Sequence, residues 1–143
     1  MSGREDVCAE VRRWLGTPYR HQMAVRGAGC DCLGLLRGIW RGLYGREPEV
    51  PPPYTPDWDE VAGRDILWSA AARHLEARSG DRIMPGDVLL FRMRRGAVAK
   101  HLGIAVEEGR FIHAYARHGV VENTLSEPWK RRVVGVFAFP PLD

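Results

Sequence analysis

A change of hydrophobic period halfway along the chain restricts the fold more than any other feature. Up to residue 45 the apolar residues recur at helical spacing. Val7, Val11, Trp14 and Leu15 form one stripe, stopped by Gly16-Thr17-Pro18. Leu33, Leu35, Leu36, Ile39, Trp40, Leu43 and Tyr44 form a second, ending at Gly45. After Pro85-Gly86-Asp87 the pattern becomes short β-branched and aromatic runs at 88–92, 97–106, 110–115, 119–122 and 133–139, separated by Gly or Pro turns. Helices first and strands after predict an α+β domain with an antiparallel sheet. No helix falls between the later strands, which argues against a parallel α/β sheet.

Two segments join these halves. Residues 46–56 hold five prolines and read as an extended surface linker, and 57–79 reads as a third helical region with a break near Gly63. At 143 residues the chain is long enough to bury roughly 70% of the surface its unfolded form exposes. Each half alone would be small for its own core, so one domain over 1–143 with a Pro-rich insert is expected. No stretch reaches the ~18 apolar residues of a membrane span. The polar start, Met1-Ser2-Gly3-Arg4-Glu5-Asp6, has no apolar signal core behind it, so synthesis in the cytoplasm without export is expected.

The net charge is +3, from 21 Lys and Arg against 18 Asp and Glu. The basic residues are dispersed, with short clusters at Arg92-Met93-Arg94-Arg95 and Lys130-Arg131-Arg132. They read as a solvated surface, and no nucleic-acid partner is expected. The three cysteines, Cys8, Cys30 and Cys32, are an odd number and make no disulfide framework. Cys8 reads as a helix residue facing the core and Cys30 as a buried loop thiol.

Cys32 is different, because it stands where the Gly-rich loop Arg26-Gly27-Ala28-Gly29 leads into the long second helix. A helix N-terminus offers free N–H groups and partial positive charge, which lower a thiol pKa and can hold an oxyanion. A thiolate nucleophile also needs a base, and the base an orienting group. Of five histidines, His101 opens one apolar strand and His113 lies within the next. A two-residue turn at Glu108-Gly109 would put them on opposite faces. A three-residue loop, Glu107-Glu108-Gly109, pairs 106 with 110 and puts His113 opposite Gly103, diagonal to His101 on one face. Gly109 suits the left-handed end of such a loop, so the three-residue register is predicted.

The ordered set Gly16-Thr17-Pro18-Tyr19, Asp31-Cys32-Leu33-Gly34-Leu35, Pro85-Gly86-Asp87, His101-Leu102-Gly103-Ile104 and Phe111-Ile112-His113-Ala114 resembles the NlpC-type cysteine peptidases of bacterial cell walls. These are a papain-like group, and the likeness runs from about residue 7 to 139. It implies Cys32 as nucleophile, His101 as general base and His113 as the group orienting it. It further implies that Tyr19 lines the pocket and helps at the oxyanion, and that Asp31 meets a substrate amine. The implied reaction is hydrolysis of peptidoglycan stem peptides between D-γ-glutamate and a diamino acid, with no metal or cofactor. Leu33 departs from the family's usual Ser, so one polar contact to substrate is missing. That variant, the Pro-rich insert and the absent signal resemble the branch carried by phage tails and gene transfer agents. Other tail or baseplate proteins would then be partners, and the particle would deliver the enzyme to the wall.

Two other readings compete: a zinc site built on Cys30-x-Cys32 with His21, His101 or His113, at a tight C-x-C spacing, and a catalytically silent structural subunit of a tail tip. Trp129 reads as a cap on the sheet or a loop, Asp87 as a turn residue and His21 as a surface loop residue.

Overall fold

The computed structural model describes residues 3–48, 66–93, 99–107 and 109–141. Helix α1 (Gly3–Arg12) is followed by a small antiparallel pair, β1 (Ala24–Val25) and β2 (Gly29–Cys30), and then by α2 (Cys32–Tyr44). The second half runs α3 (Ile66–His74), β3 (Glu76–Arg78), β4 (Val88–Arg92), β5 (Ala99–Ala105), β6 (Arg110–Tyr115), β7 (Gly119–Thr124), α4 (Glu127–Lys130) and β8 (Val133–Ala138). Strands β3 to β8 form one antiparallel sheet in the order β3-β8-β4-β5-β6-β7. The predicted α+β class is the observed one.

Helix α2 starts and stops on its own sequence. Asp31 is its N-cap, with extended backbone and Oδ1 accepting from the Gly34 N–H at 2.7 Å. Gly45 ends it in the left-handed conformation at φ 83°, its N–H donating to the Arg41 carbonyl. Gly34, Gly38 and Gly42 recur every four residues and leave one face bare. A Cβ on Gly38 would come within 2.0 Å of the Trp14 ring, and one on Gly42 within 2.5 Å of the Glu10 carboxylate. That face is where the α1 segment lies against α2. Arg37 and Arg41 both reach Glu47 and tie down the chain after the helix.

The sheet is apolar on both faces. Leu90, Leu102, Ile104, Ile112 and Ala114 pack under Val7, Val11, Trp14, Leu35 and Ile39 from the helices. Leu89, Phe91, Ala105, Phe111, Leu125 and Val136 form a second cluster, joined by Trp129 and Ile83. Each large side chain so buried contributes about 1.5–3 kcal/mol before chain entropy is counted.

The β5–β6 register is the predicted one. Ile104 pairs with Ile112 and Ala105 with Phe111, the Val106 N–H donates to the Arg110 carbonyl at 2.9 Å, and Gly109 has φ 70°. Five other expectations change, the first being that one short helix, α4, does fall between the later strands β7 and β8, although the sheet stays antiparallel. Of the helical region expected at 57–79, residues 57–65 lie outside the described residues and Glu76–Arg78 is a strand, because pairing with β8 outweighs local helix preference. Leu15 is 41% exposed, since α1 ends at Arg12 and the following turn swings it outward. Asp87 is more than a turn residue. It is fully buried, accepts from the Met84 N–H and bridges Arg4 of α1 to Arg78 of β3. The 97–106 strand runs as Ala99–Ala105, with 97 and 98 outside the described residues. The Pro-rich insert from residue 49 onward also lies outside them.

Candidate active site

Cys32 is the first residue of α2, and its position depends on the turn before it. The Cys30 N–H donates to the Pro18 carbonyl, the Arg20 N–H to the Cys30 carbonyl and the Asp31 N–H to the Met23 carbonyl. The loop 18–23 is thus laced to the strand that delivers the cysteine. Asp31 completes the lacing, Oδ1 accepting from Gly34 and Oδ2 from the Gln22 N–H at 2.7 Å. Gly34 is required there, because a Cβ would sit 1.8 Å from the Met23 carbonyl oxygen.

The thiol points at a gap in the sheet. Strands β5 and β6 pair only at Ile104–Ile112 and Ala105–Phe111, although β5 extends back to Ala99 and β6 forward to Tyr115. Where that ladder has ended, the Cys32 sulfur lies 4.0 Å from the Lys100 carbonyl oxygen, and the Leu102 and Leu33 N–H groups are directed at it. Lys100 and Leu102 flank His101 on the chain.

His101 and His113 meet on the far face of this hairpin. Nε2 of His101 lies 2.7 Å from Nδ1 of His113, and Nε2 of His113 lies 2.6 Å from Oδ1 of Asn123 on β7. Gly103 makes the approach possible, since a Cβ there would press on the Phe111 ring at 2.9 Å and on His113 Cβ at 3.3 Å. Aromatic rings enclose the pair. Tyr115 stacks on His113 at 5.0 Å, and Trp129 stands edge-on 5.3 Å from His113 and tilted 6.1 Å from His101. His101 is 7% exposed, His113 not at all and Cys32 6%.

Burial sets the protonation states. It pushes the Cys32 thiol up to about 12, the Asp31 charge adding to the rise against the Leu102 and Leu33 N–H groups. The expectation of a thiol lowered by the helix start is therefore reversed in the free protein. Burial, then the neighbouring His113, holds His101 down to about 3. His113 is also lowered, by burial, against the hydrogen bond to Asn123. At neutral pH the Cys32 thiol and the His101 and His113 imidazoles all rest uncharged.

The other expected residues are nearby. Tyr19 is half-buried and bridged to Cys30, and burial, with the Asp31 charge adding to it, keeps its phenol protonated. Asp31, expected to meet a substrate amine, is 2% exposed and holds the loop and helix start together. His21 is an exposed loop residue with Nδ1 3.8 Å from Asp31 Oδ2. Among the described residues no group of three or more His, Cys, Asp or Glu could hold a metal ion. Sequence reasoning missed Asn123 and gave Trp129 only a capping role. The signal for Asn123 was available, since His113 pairs with Val121 and position 123 is its diagonal neighbour on the same face.

A cysteine opening a buried helix, set against an antiparallel sheet that carries paired histidines, defines a papain-like α+β domain. The chain belongs to the NlpC/P60 family, whose profile matches residues 16–138. It is 29% identical over 120 residues to the Escherichia coli K12 protein named Murein DD-endopeptidase MepS/Murein LD-carboxypeptidase, covering 83% of this chain and 54% of that protein. It is 26% identical over 137 residues to the Gamma-DL-glutamyl hydrolase of Bacillus subtilis, covering 95% of this chain and 29% of that one. The chain thus spans about half or less of these two relatives. The NlpC/p60 domain of the peptidoglycan hydrolase SagA superposes with a TM-score of 0.64 at 19% identity, covering 96% of this chain and 100% of that one, a likeness of fold.

Proposed function

We propose that the chain is a cysteine peptidase that hydrolyses amide bonds in peptidoglycan stem peptides. The observation that carries the reading is the His101–His113 pair, joined at 2.7 Å, on the strand whose Lys100 carbonyl lies 4.0 Å from the Cys32 sulfur. Cys32 attacks the amide carbonyl and passes its proton to His101. His101, oriented by His113, then protonates the leaving amine. N–H groups at the start of α2 and the Tyr19 hydroxyl stabilise the oxyanion. Water releases the acyl-enzyme, with the same imidazole as base. Asp31 acts on substrate by fixing the loop that carries Tyr19 and the helix that carries Cys32.

The bond assigned is that between D-γ-glutamate and the diamino acid, in keeping with a relative named for γ-glutamyl hydrolysis. The other relative is named for different wall bonds, so the products decide. Mass spectrometry of muropeptides after digestion of purified peptidoglycan is expected to show new free amines on the diamino acid. New D-alanine termini in their place would move the cut to the DD bond.

The setting assigned is a phage-like particle whose tail carries the enzyme to the wall, with tail or baseplate proteins as partners. Leu33 supports it. Where the family usually has a polar Ser, Leu33 is 5% exposed and packed into the main core. Co-purification of the chain with assembled particles tests this setting, and its absence from them would contradict it.

A further inference from the structure

A neutral imidazole has one N–H and one lone pair, so a chain of imidazoles takes its proton order from whatever stands at its end. Here that end is Asn123. Its Oδ1 can only accept, so the 2.6 Å contact places the proton of His113 on Nε2. Nδ1 of His113 is then a lone pair, and the 2.7 Å contact requires His101 to donate from Nε2. Nδ1 of His101 is left as the basic nitrogen. Reversing the chain would put a proton there and leave His101 unable to take one from a thiol.

We infer that Asn123 is a positioning residue that holds both imidazoles in the Nε2–H tautomer and so keeps His101 competent as a base. The inference rests on the cysteine-peptidase reading for its kinetic consequence and on the two hydrogen bonds for the tautomers. The groups packed around the pair do not share the task. Phe111 and Trp129 contribute ring contacts, Tyr115 stacks on His113, and His118 stacks on Tyr115 while its charge lowers the His113 proton affinity. The bond spans two strands. Asn123 pairs with Phe111, so its side chain reaches His113 diagonally from the same face.

The test is long-range proton–nitrogen NMR of the histidine-labelled full chain, with muropeptide release measured alongside. Wild type is expected to show Nε2–H patterns for both His101 and His113. Asn123→Leu is expected to lose that pattern at His113 and to lower kcat about 10²-fold, within the range of general-base effects, at nearly unchanged KM. Asn123→Asp keeps an acceptor but stabilises the His113 imidazolium, whose second N–H would drive His101 into the wrong tautomer. Its acid limb of activity should therefore move to higher pH. Wild-type Nδ1–H on His101 would overturn the inference. So would wild-type tautomers and kcat in Asn123→Leu. If Asn123→Leu does not fold, an unmoved acid limb in Asn123→Asp overturns it instead. Nε2–H patterns in a wild type that releases nothing would sink the peptidase reading and leave the tautomer assignment standing.

Discussion

Nε2 of His101 stands 2.7 Å from Nδ1 of His113, across a hairpin whose backbone ladder stops at Ile104–Ile112, before either histidine. The side chains continue the pairing that the backbone gives up. Cys32 occupies the same gap from the α2 side, with its sulfur against the Lys100 carbonyl. Both contacts lie where β5 has parted from β6.

The two histidines should differ in the size of their effect. His101→Gln removes the proposed proton acceptor, and a loss of about 10²–10⁴-fold in kcat is expected. His113→Gln keeps a polar partner within reach of His101 and should retain more activity than His113→Leu. Steady-state kinetics on soluble muropeptides checks the ranking. Equal activity in His101→Gln and wild type would remove His101 from the mechanism.

Acid should unfold the protein through the same pair. The folded His101 takes its proton near pH 3, whereas an unfolded histidine takes one near pH 6.5. The unfolded state therefore binds more protons below 6.5, and stability present above that pH is lost as pH falls toward 3. His113, also lowered, adds to the slope. Each contributes at most about 1.4 kcal/mol per pH unit. Denaturant titrations from pH 7 to 4 should show a steeper loss for wild type than for His101→Gln; parallel curves would contradict the assigned direction.

Gly34→Ala should cost more than an ordinary helix substitution gains. The added methyl would lie 1.8 Å from the Met23 carbonyl oxygen and 3.0 Å from Asp31 Oδ1, and both belong to the laced loop. A loss of about 1–3 kcal/mol or more is expected, with activity falling further than stability because the helix start moves. Thermal melts and kinetics on one preparation check both.

Asp87→Ala should loosen the N-terminal helix from the sheet. Arg4 and Arg78 are partly exposed and can turn to water, but the Met84 N–H loses its acceptor. The expected cost is about 1.5–3 kcal/mol, near that of a charged hydrogen bond. Hydrogen exchange should speed first in α1; uniform exchange would contradict the tether.

Much of this arrangement was legible in the sequence. The shift of period separated helices from strands, Gly45 ended α2 and Gly109 fixed the hairpin register that puts both histidines on one face. Strand β3 was not legible, because Glu76-Ala77-Arg78 carries no alternation and owes its conformation to β8. Asp87 read as a turn residue since its two arginine partners lie 83 and 9 positions away. The cysteine's helix start was legible but not its burial, which reverses the direction of its pKa. Asn123 lies outside the recognised motifs, and only the β6–β7 register links it to His113.

The central claim is that Cys32 performs thiol hydrolysis on the wall. Purified peptidoglycan incubated with wild type and with Cys32→Ala, each shown folded, tests it most directly. Release of muropeptides by wild type alone is the predicted result, and equal release by both proteins would contradict it.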